Sequence, residues 1–274
     1  MKIWRQLALT ACLIGIPLVA QAENYALIIG VDEYQDKAHI ASLTTAVADA
    51  KAFAQVLQAK AQVKAAQVQL LTSDGAMKPT RKEILNQISL WQKQGQADDV
   101  YYLFFAGQGV ALDSESYLLP YDGNLTSAQT LQETSITAKE WSAALSKLKG
   151  RAVLAYLDIA HGNPSTAPAP FLPTQPRWSE AQLQRFGLEK STQSETLFSA
   201  KAYQRSRDWS RKQRGYFGYF LEQAYKGEAA DGKGTLRTKN IRDYLNKAVS
   251  GAALREEGAI LEPYSLPTGD TLSS

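Results

Sequence analysis

The sequence predicts an α/β domain with a largely parallel sheet. Three near-continuous apolar runs carry that expectation: YALIIG at 25–30, VYYLFF at 100–105 and AVLAYL at 152–157. Runs without polar alternation suit strands covered on both faces, as those of parallel sheets are. Between them, apolar residues recur at three- and four-residue steps, the period of a helix that buries one side. Strands alternating with such helices build parallel sheets through crossover connections.

The elements follow in order. After the first strand, Tyr25 to Gly30, Thr44 or Thr45 is placed to cap a helix carrying Val47, Ala50, Phe53, Ala54 and Leu57 on one side. Val68 to Leu71 reads as a strand. Thr80, with Glu83 three residues on, predicts a capping box for a helix with Ile84, Leu85, Ile88 and Trp91 as its buried stripe. The strand Val100 to Phe105 is expected to stop at Ala106, Gly107, Gln108, Gly109, two glycines around one residue implying tight backbone at the strand's C-terminal edge. A hairpin-like stretch then closes through Tyr117, Leu118, Leu119, Pro120, Tyr121 and Asp122. A helix from Ser135 or Thr137 through Leu148 precedes the strand Ala152 to Leu157, which runs into a second corner from Asp158 to Pro164. Asn163 to Pro176 is proline-rich and reads as an exposed loop, within a loop region of about 163–194. A short strand at Leu197 to Ala200, helices at Gly215 to Lys226 and Thr238 to Val249, and an edge strand at Ala259 to Leu261 complete the pattern.

The 274 residues, 45% apolar and 21% charged, fit one globular domain with a good core. The net charge is +3, of which Lys2 and Arg5 supply two, leaving +1 for the rest. That balance argues against nucleic acid or a membrane surface held by bulk charge. The first residues read as a signal peptide over 1–22: basic Lys2 and Arg5, an apolar run from Leu7 to Val19, then Ala20, Gln21, Ala22, with cleavage expected before Glu23. The run is shorter than the roughly 18 residues of a spanning helix, and no second one follows, so no membrane span is expected after cleavage. A lipoprotein-like reading of Leu9 to Cys12 would leave an unusually short apolar region before the cysteine. The expected location is the periplasm or outside the cell, for a domain spanning 23–274. Cys12 is the chain's one cysteine and falls inside the signal, so the mature protein is expected to have no thiol.

Six motifs, in order, carry a resemblance to the caspase and metacaspase family, peptidase C14. YALIIGVDEY resembles the opening strand and loop, and Asp49 with Ala50 matches the Asp-Ala of the first helix. VYYLFFAGQG resembles the strand that leads to the family's catalytic histidine, and YLLPYD its Leu-Pro-x-Asp element. LDIAHGNP is similar to the bacterial nucleophile loop, and LFSAKAYQ followed by GYFGYFLEQAYKGEAADGKGTLRTKNIRDYL to the C-terminal part. The resemblance covers Glu23 to Tyr264 and implies a caspase-like three-layer sandwich, with a mainly parallel, roughly six-stranded sheet between helices.

Two departures stand inside the motifs. The family's histidine position carries Gln108 and its cysteine position Ala160. A thiolate nucleophile needs a neighbouring base, and the leaving amine an acid. Neither residue supplies those groups, so the resemblance implies a pseudo-peptidase. Backbone donors at Gly109 and Ala160 would survive the change, and the glycines Gly107 and Gly109 would leave room for a close-lying peptide. Asp158 matches the acidic residue with which metacaspases meet a basic side chain, and could pair with an arginine in bidentate fashion. Its other reading is a cap for N–H groups of its own loop. His161 is a binding candidate whose side chain should point away from that of Ala160 in extended backbone, and as a lone histidine it makes a poor metal ligand. His39 falls in the loop after the first strand. The basic residues Arg205, Arg207, Arg211, Lys212 and Arg214, with Asp208 among them, read as a solvated face. No cofactor or metal is expected. The implied function is binding a peptide or protein with a basic residue, an active caspase-like relative being one candidate partner. The rival readings are a cryptic hydrolase using a serine or His161, and a scaffold whose old cleft is closed.

Overall fold

The computed structural model describes residues 22–161, 171–172, 178–188 and 194–266, with the His161 side chain outside the described set. The expectations for residues 1–21, for Cys12 and for most of the proline-rich stretch lie outside the described residues. The chain begins β1(Asn24–Gly30), α1(Ala46–Lys60), β2(Val68–Thr72), α2(Arg81–Gln94), β3(Val100–Leu112) and β4(Glu115–Leu118). It continues α3(Ala128–Thr134), β5(Ile136–Thr137), α4(Ala138–Leu145), β6(Ala152–His161), α5(Glu180–Gln184) and β7(Glu195–Phe198). The last elements are β8(Asp208–Trp209), β9(Arg214–Gly215), α6(Tyr216–Gln223), α7(Thr238–Glu257) and β10(Tyr264–Leu266).

The strands β10, β7, β6, β3, β1 and β2 lie side by side in that order, and β4 and β5 extend the sheet from β3. All pairs from β7 to β2 are parallel, and β10 runs antiparallel on the edge. The apolar runs are continuous because successive residues feed opposite layers. Leu27, Ile29, Leu103 and Phe105 enter one core with Trp91, Trp141 and Trp178, under α2, α4 and α5. Ala26, Ile28, Phe104 and Tyr156 enter the other with Phe53, Phe217 and Leu245, under α1, α6 and α7. Each fully buried Leu or Phe side chain contributes roughly 1.5–3 kcal/mol, so both faces of the sheet are anchored. The architecture is thus the three-layer α/β sandwich with a mainly parallel sheet.

Several local expectations are corrected. β3 does not stop at Phe105: it runs on to Leu112, thirteen residues in all, because β6 pairs with it through Gly109 and β4 takes up its far end from Gly109 to Leu112. Gly107 and Gly109 have ordinary extended backbone, since neither is among the positive-φ residues. Likewise β6 runs straight through Asp158, Ile159 and Ala160 rather than turning. Thr45 makes no cap bond to α1; the Asp32 carboxylate accepts the N–H groups of Ala46 (2.9 Å) and Val47 (3.3 Å) instead. The Thr80 hydroxyl accepts the Glu83 N–H at 3.2 Å, and Asp122 accepts the N–H of Arg81 at 2.8 Å. Reciprocal capping boxes occur at Ser127 with Thr130 and at Ser179 with Gln182. The second opens α5 inside the stretch read as loop, where Trp178 stacks on Phe186 at 5.2 Å and both are buried. The helix expected through Leu148 ends at Leu145, Leu197 to Ala200 becomes Glu195 to Phe198, and α7 extends past Val249 to Glu257. Ala259 to Leu261 is not a strand; the edge is supplied by Tyr264 to Leu266, paired with Phe198 to Thr196.

Candidate functional site

Parallel α/β sheets place their sites at the C-terminal ends of the strands. At that end β3 and β6 are in register, Ala106 opposite Asp158 and Gln108 opposite Ala160. Paired residues of adjacent strands face the same way about 4.8 Å apart, and residues two apart share a face, so Asp158, Ala160 and Gln108 form one patch on the α1 side. Gln108 is buried; its side-chain amide donates to the Ala41 carbonyl at 3.2 Å, and its N–H donates to the Tyr34 hydroxyl at 2.7 Å. The side chains of Gln108 and Tyr34 therefore hold the loop after β1 over the end of β3. His39, in that loop, is paired with Asp36 at 2.7 Å, while the other Asp36 oxygen accepts the N–H of Leu125.

Ala160 opens on a cavity of about 30 Å³ bordered by Asp49, Asp158, Ser206, Asp208 and Thr45. That is room for about one water. Asp49 is fully buried on α1, bonded to the Arg214 guanidinium and to the N–H of Gly215 at 2.8 Å. Arg214 also reaches Glu222 at 2.7 Å. Asp158 has no cation beside it among the described residues: its carboxylate is met by the hydroxyls of Ser206 and Ser199 and the backbone of Gly218. Asp208 accepts from the hydroxyls of Thr45 (2.7 Å) and Thr44 (3.3 Å). The segment 206–215 thus lies across the cavity, tied to Asp158 through Ser206, to Asp49 through Arg214 and Gly215, and to the Thr44 and Thr45 hydroxyls through its own Asp208. Burial pushes the Asp158 carboxyl up to about 6 against the pull of its hydroxyl donors. Burial likewise takes Asp49 up to about 7 in spite of Arg214.

These placements revise the residue expectations. Among the described residues the partners of Asp158 come from near β7, β8 and α6. At Gly107 and Gly109 the space a side chain would take is filled by the protein's own residues. A Cβ at Gly107 would stand 3.0 Å from the Phe105 ring and 3.1 Å from the Tyr34 hydroxyl, and one at Gly109 would stand 2.6 Å from Ile159 and 2.7 Å from Trp178. Gly109 is also enclosed in two ladders, opposite Leu118 on β4 and His161 on β6. His161 ends β6, and its side chain lies outside the described residues. Gly109→Ala is expected to destabilise the fold by about 1–3 kcal/mol through overpacking, measured as a lower urea midpoint with an unchanged slope.

Asp49, Ser206, Asp208, Arg214 and Tyr34 are the site residues that sequence reasoning did not assign to the pocket. Asp49 carried a signal, an acid among the apolar residues of a helix, but Arg214 was hidden in a run of exposed basic residues. The solvated-face reading holds for Arg207 and Arg211, which are exposed and paired with Glu257 and Glu256. It fails for Arg214, whose side chain is only 15% exposed.

The sheet order, the layers and the site at the ends of β3 and β6 define a caspase-type α/β sandwich. The family model described as "Caspase domain", peptidase C14, matches residues 23–256, and the chain belongs to that family. A protein of Geobacter sulfurreducens with a known crystal structure is similar in fold, with a TM-score of 0.60 and 15% identity over 92% of this chain and 97% of that one. Comparison with curated proteins gives no match.

Proposed function

We propose that this caspase-domain protein is an exported, catalytically inactive member of its family that receives a basic side chain of a peptide or partner protein in its acidic pocket. The observation that carries the reading is the in-register pair Gln108 and Ala160 beside Asp158. Where a thiolate and an imidazole would act, the pair offers an amide and a methyl group, so proton transfer and nucleophilic attack have no side chain to run on. The recognition half rests on Asp158, a buried carboxylate met among the described residues by hydroxyls rather than a cation, and on Asp49 beside it, which already holds a guanidinium of the chain's own. Export rests on the basic, apolar, small-x-small order of the first residues.

A 30 Å³ cavity does not admit an arginine side chain, so binding requires the segment 206–215 to lift. The cost of lifting it makes the expected affinity weak. Its selectivity is still expected to be clear, since a charge-assisted hydrogen bond contributes about 1.5–3 kcal/mol, a tenfold or larger preference over a neutral residue. The test is fluorescence polarisation with matched Arg and Ala peptides on the parent and on Asp158→Asn, alongside turnover of the same peptides and labelling by thiol-directed probes. The expected result is an Arg preference that Asp158→Asn abolishes, with no labelling and no turnover. Equal binding of the two peptides would favour a closed scaffold, the reading the small cavity supports. Robust, dose-proportional cleavage would overturn inactivity.

A further inference from the structure

A second cavity lies at the opposite end of the sheet. It is a groove of about 780 Å³ between the end of α2, the turn before β3 and the connection from α4 into β6. Leu145, Leu148 and Val153 form an apolar floor, each buried, and Lys93, Lys147 and Lys149 stand on its margin, each exposed. No Asp or Glu is among the described residues that line it. Among the described residues the ammonium groups of these three lysines take part in no ion pair or hydrogen bond, whereas those of Lys51, Lys64, Lys201 and Lys239 each meet an acid. The buried acid Asp99, close in sequence to the lining residues Gln96 and Ala97, is engaged with the N–H groups of Gln96 and Glu23. Balancing the carbonyl end of α2 accounts for Lys93, which sits in its last turn. It does not account for Lys147 and Lys149, which lie beyond the cap of α4 at Ser146.

We propose that this groove is a docking site for an acidic peptide segment of a partner protein, one that alternates carboxylate and apolar side chains. Charge complementarity selects the sign of the ligand. The floor selects its kind: a compact phosphate wants converging N–H groups or a helix N-terminus, whereas here α2 and α4 both present their carbonyl ends. Those ends disfavour a small dianion deep in the groove and leave the attraction to the lysines on the margin. An extended chain with spaced carboxylates can reach several of them while setting an apolar side chain on Leu148. The site is independent of the pocket at Asp158.

The experiment uses a fluorescein-labelled peptide alternating Glu with Leu, and its Gln-for-Glu counterpart, at low and high salt. The parent is compared with Lys93→Glu/Lys147→Glu/Lys149→Glu, whose sites are exposed, and with Leu148→Ala checked for intact folding by circular dichroism. The acidic peptide is expected to bind the parent, to weaken with salt, and to lose at least tenfold in the charge-reversed variant. Asp158→Asn is expected to bind it like the parent. Three results would overturn the proposal: no binding at low salt, equal binding of the Gln peptide, or equal binding by the charge-reversed variant. Displacement of the peptide by inorganic phosphate at matched charge would show a small-anion site instead. Preference for a single-stranded oligonucleotide over the peptide would likewise refute the class of partner.

Discussion

Arg214→Met is expected to lower the unfolding free energy at about pH 8 by up to roughly 1.4 kcal/mol through Asp49 alone, whose carboxyl is raised to about 7 in the parent, with the lost packing of the guanidinium in addition. The guanidinium is the one cation on Asp49 among the described residues, and Asp49 is fully buried. Removing it leaves a carboxylate whose desolvation is no longer offset, which is where the pH-dependent cost arises, rather than in the worth of the pair itself. Glu222, the other partner, keeps Lys226 at 2.5 Å and adds little. The sign with pH follows from Asp49, already raised by burial to about 7. A carboxyl raised above its unfolded value costs stability once it is ionised, and costs nothing when both states are protonated. The loss should therefore be largest at about pH 8 and shrink towards pH 5, where Asp49 takes up a proton in the folded variant. Urea unfolding of parent and variant at the two pH values measures this. A loss indifferent to pH would mean the pair behaves as an exposed one.

Asp158→Asn is expected to do the opposite. The Asp158 carboxyl is raised to about 6 from 3.8 by burial, with hydroxyls and a backbone group as partners. The penalty is absent below about pH 4, grows between about pH 4 and 6, and is complete above that. The stability gap between variant and parent should thus move in favour of the amide variant by up to about 3 kcal/mol between pH 4 and 8. An amide can still accept the Ser206 hydroxyl, so the pH-dependent part is the cleaner measure. If the gap stays constant across that range, Asp158 is solvated more than its burial implies. A stabilising substitution that also abolishes the Arg preference would mark Asp158 as a residue kept at a cost in stability for binding.

Why the pocket was only half legible follows from the distances along the chain. Asp158 and Ala160 sit two apart on one strand, so the alternation of a strand puts them on one face. Gln108 joins them through the β3–β6 register, which a sequence suggests only through the family's motif order. Ser206, Asp208 and Arg214 belong to a segment whose composition is that of any solvated loop, and nothing local distinguishes Arg214 from Arg211. What separates them is the neighbour each meets: buried Asp49 for one, half-exposed Glu256 for the other. The glycines misled for a related reason. Gly107 and Gly109 looked like a turn, yet they are small because Tyr34, Phe105, Ile159 and Trp178 pack against them.

By itself the sequence determined the layered α/β plan, since uninterrupted apolar runs can only be satisfied by covering both sheet faces. It also determined which residues stand at the two motif positions, Gln108 and Ala160, because identity at a position needs no coordinates. Only the tertiary structure decided where the strands stop, through partners that β4 and β6 bring to β3 from elsewhere in the chain. Only it decided that the cavity at Ala160 holds about one water's volume, with Asp158 meeting hydroxyls and Asp49 meeting Arg214. Those contacts join residues 48 and 165 positions apart, a separation at which burial and charge are set by packing and leave no trace in local pattern.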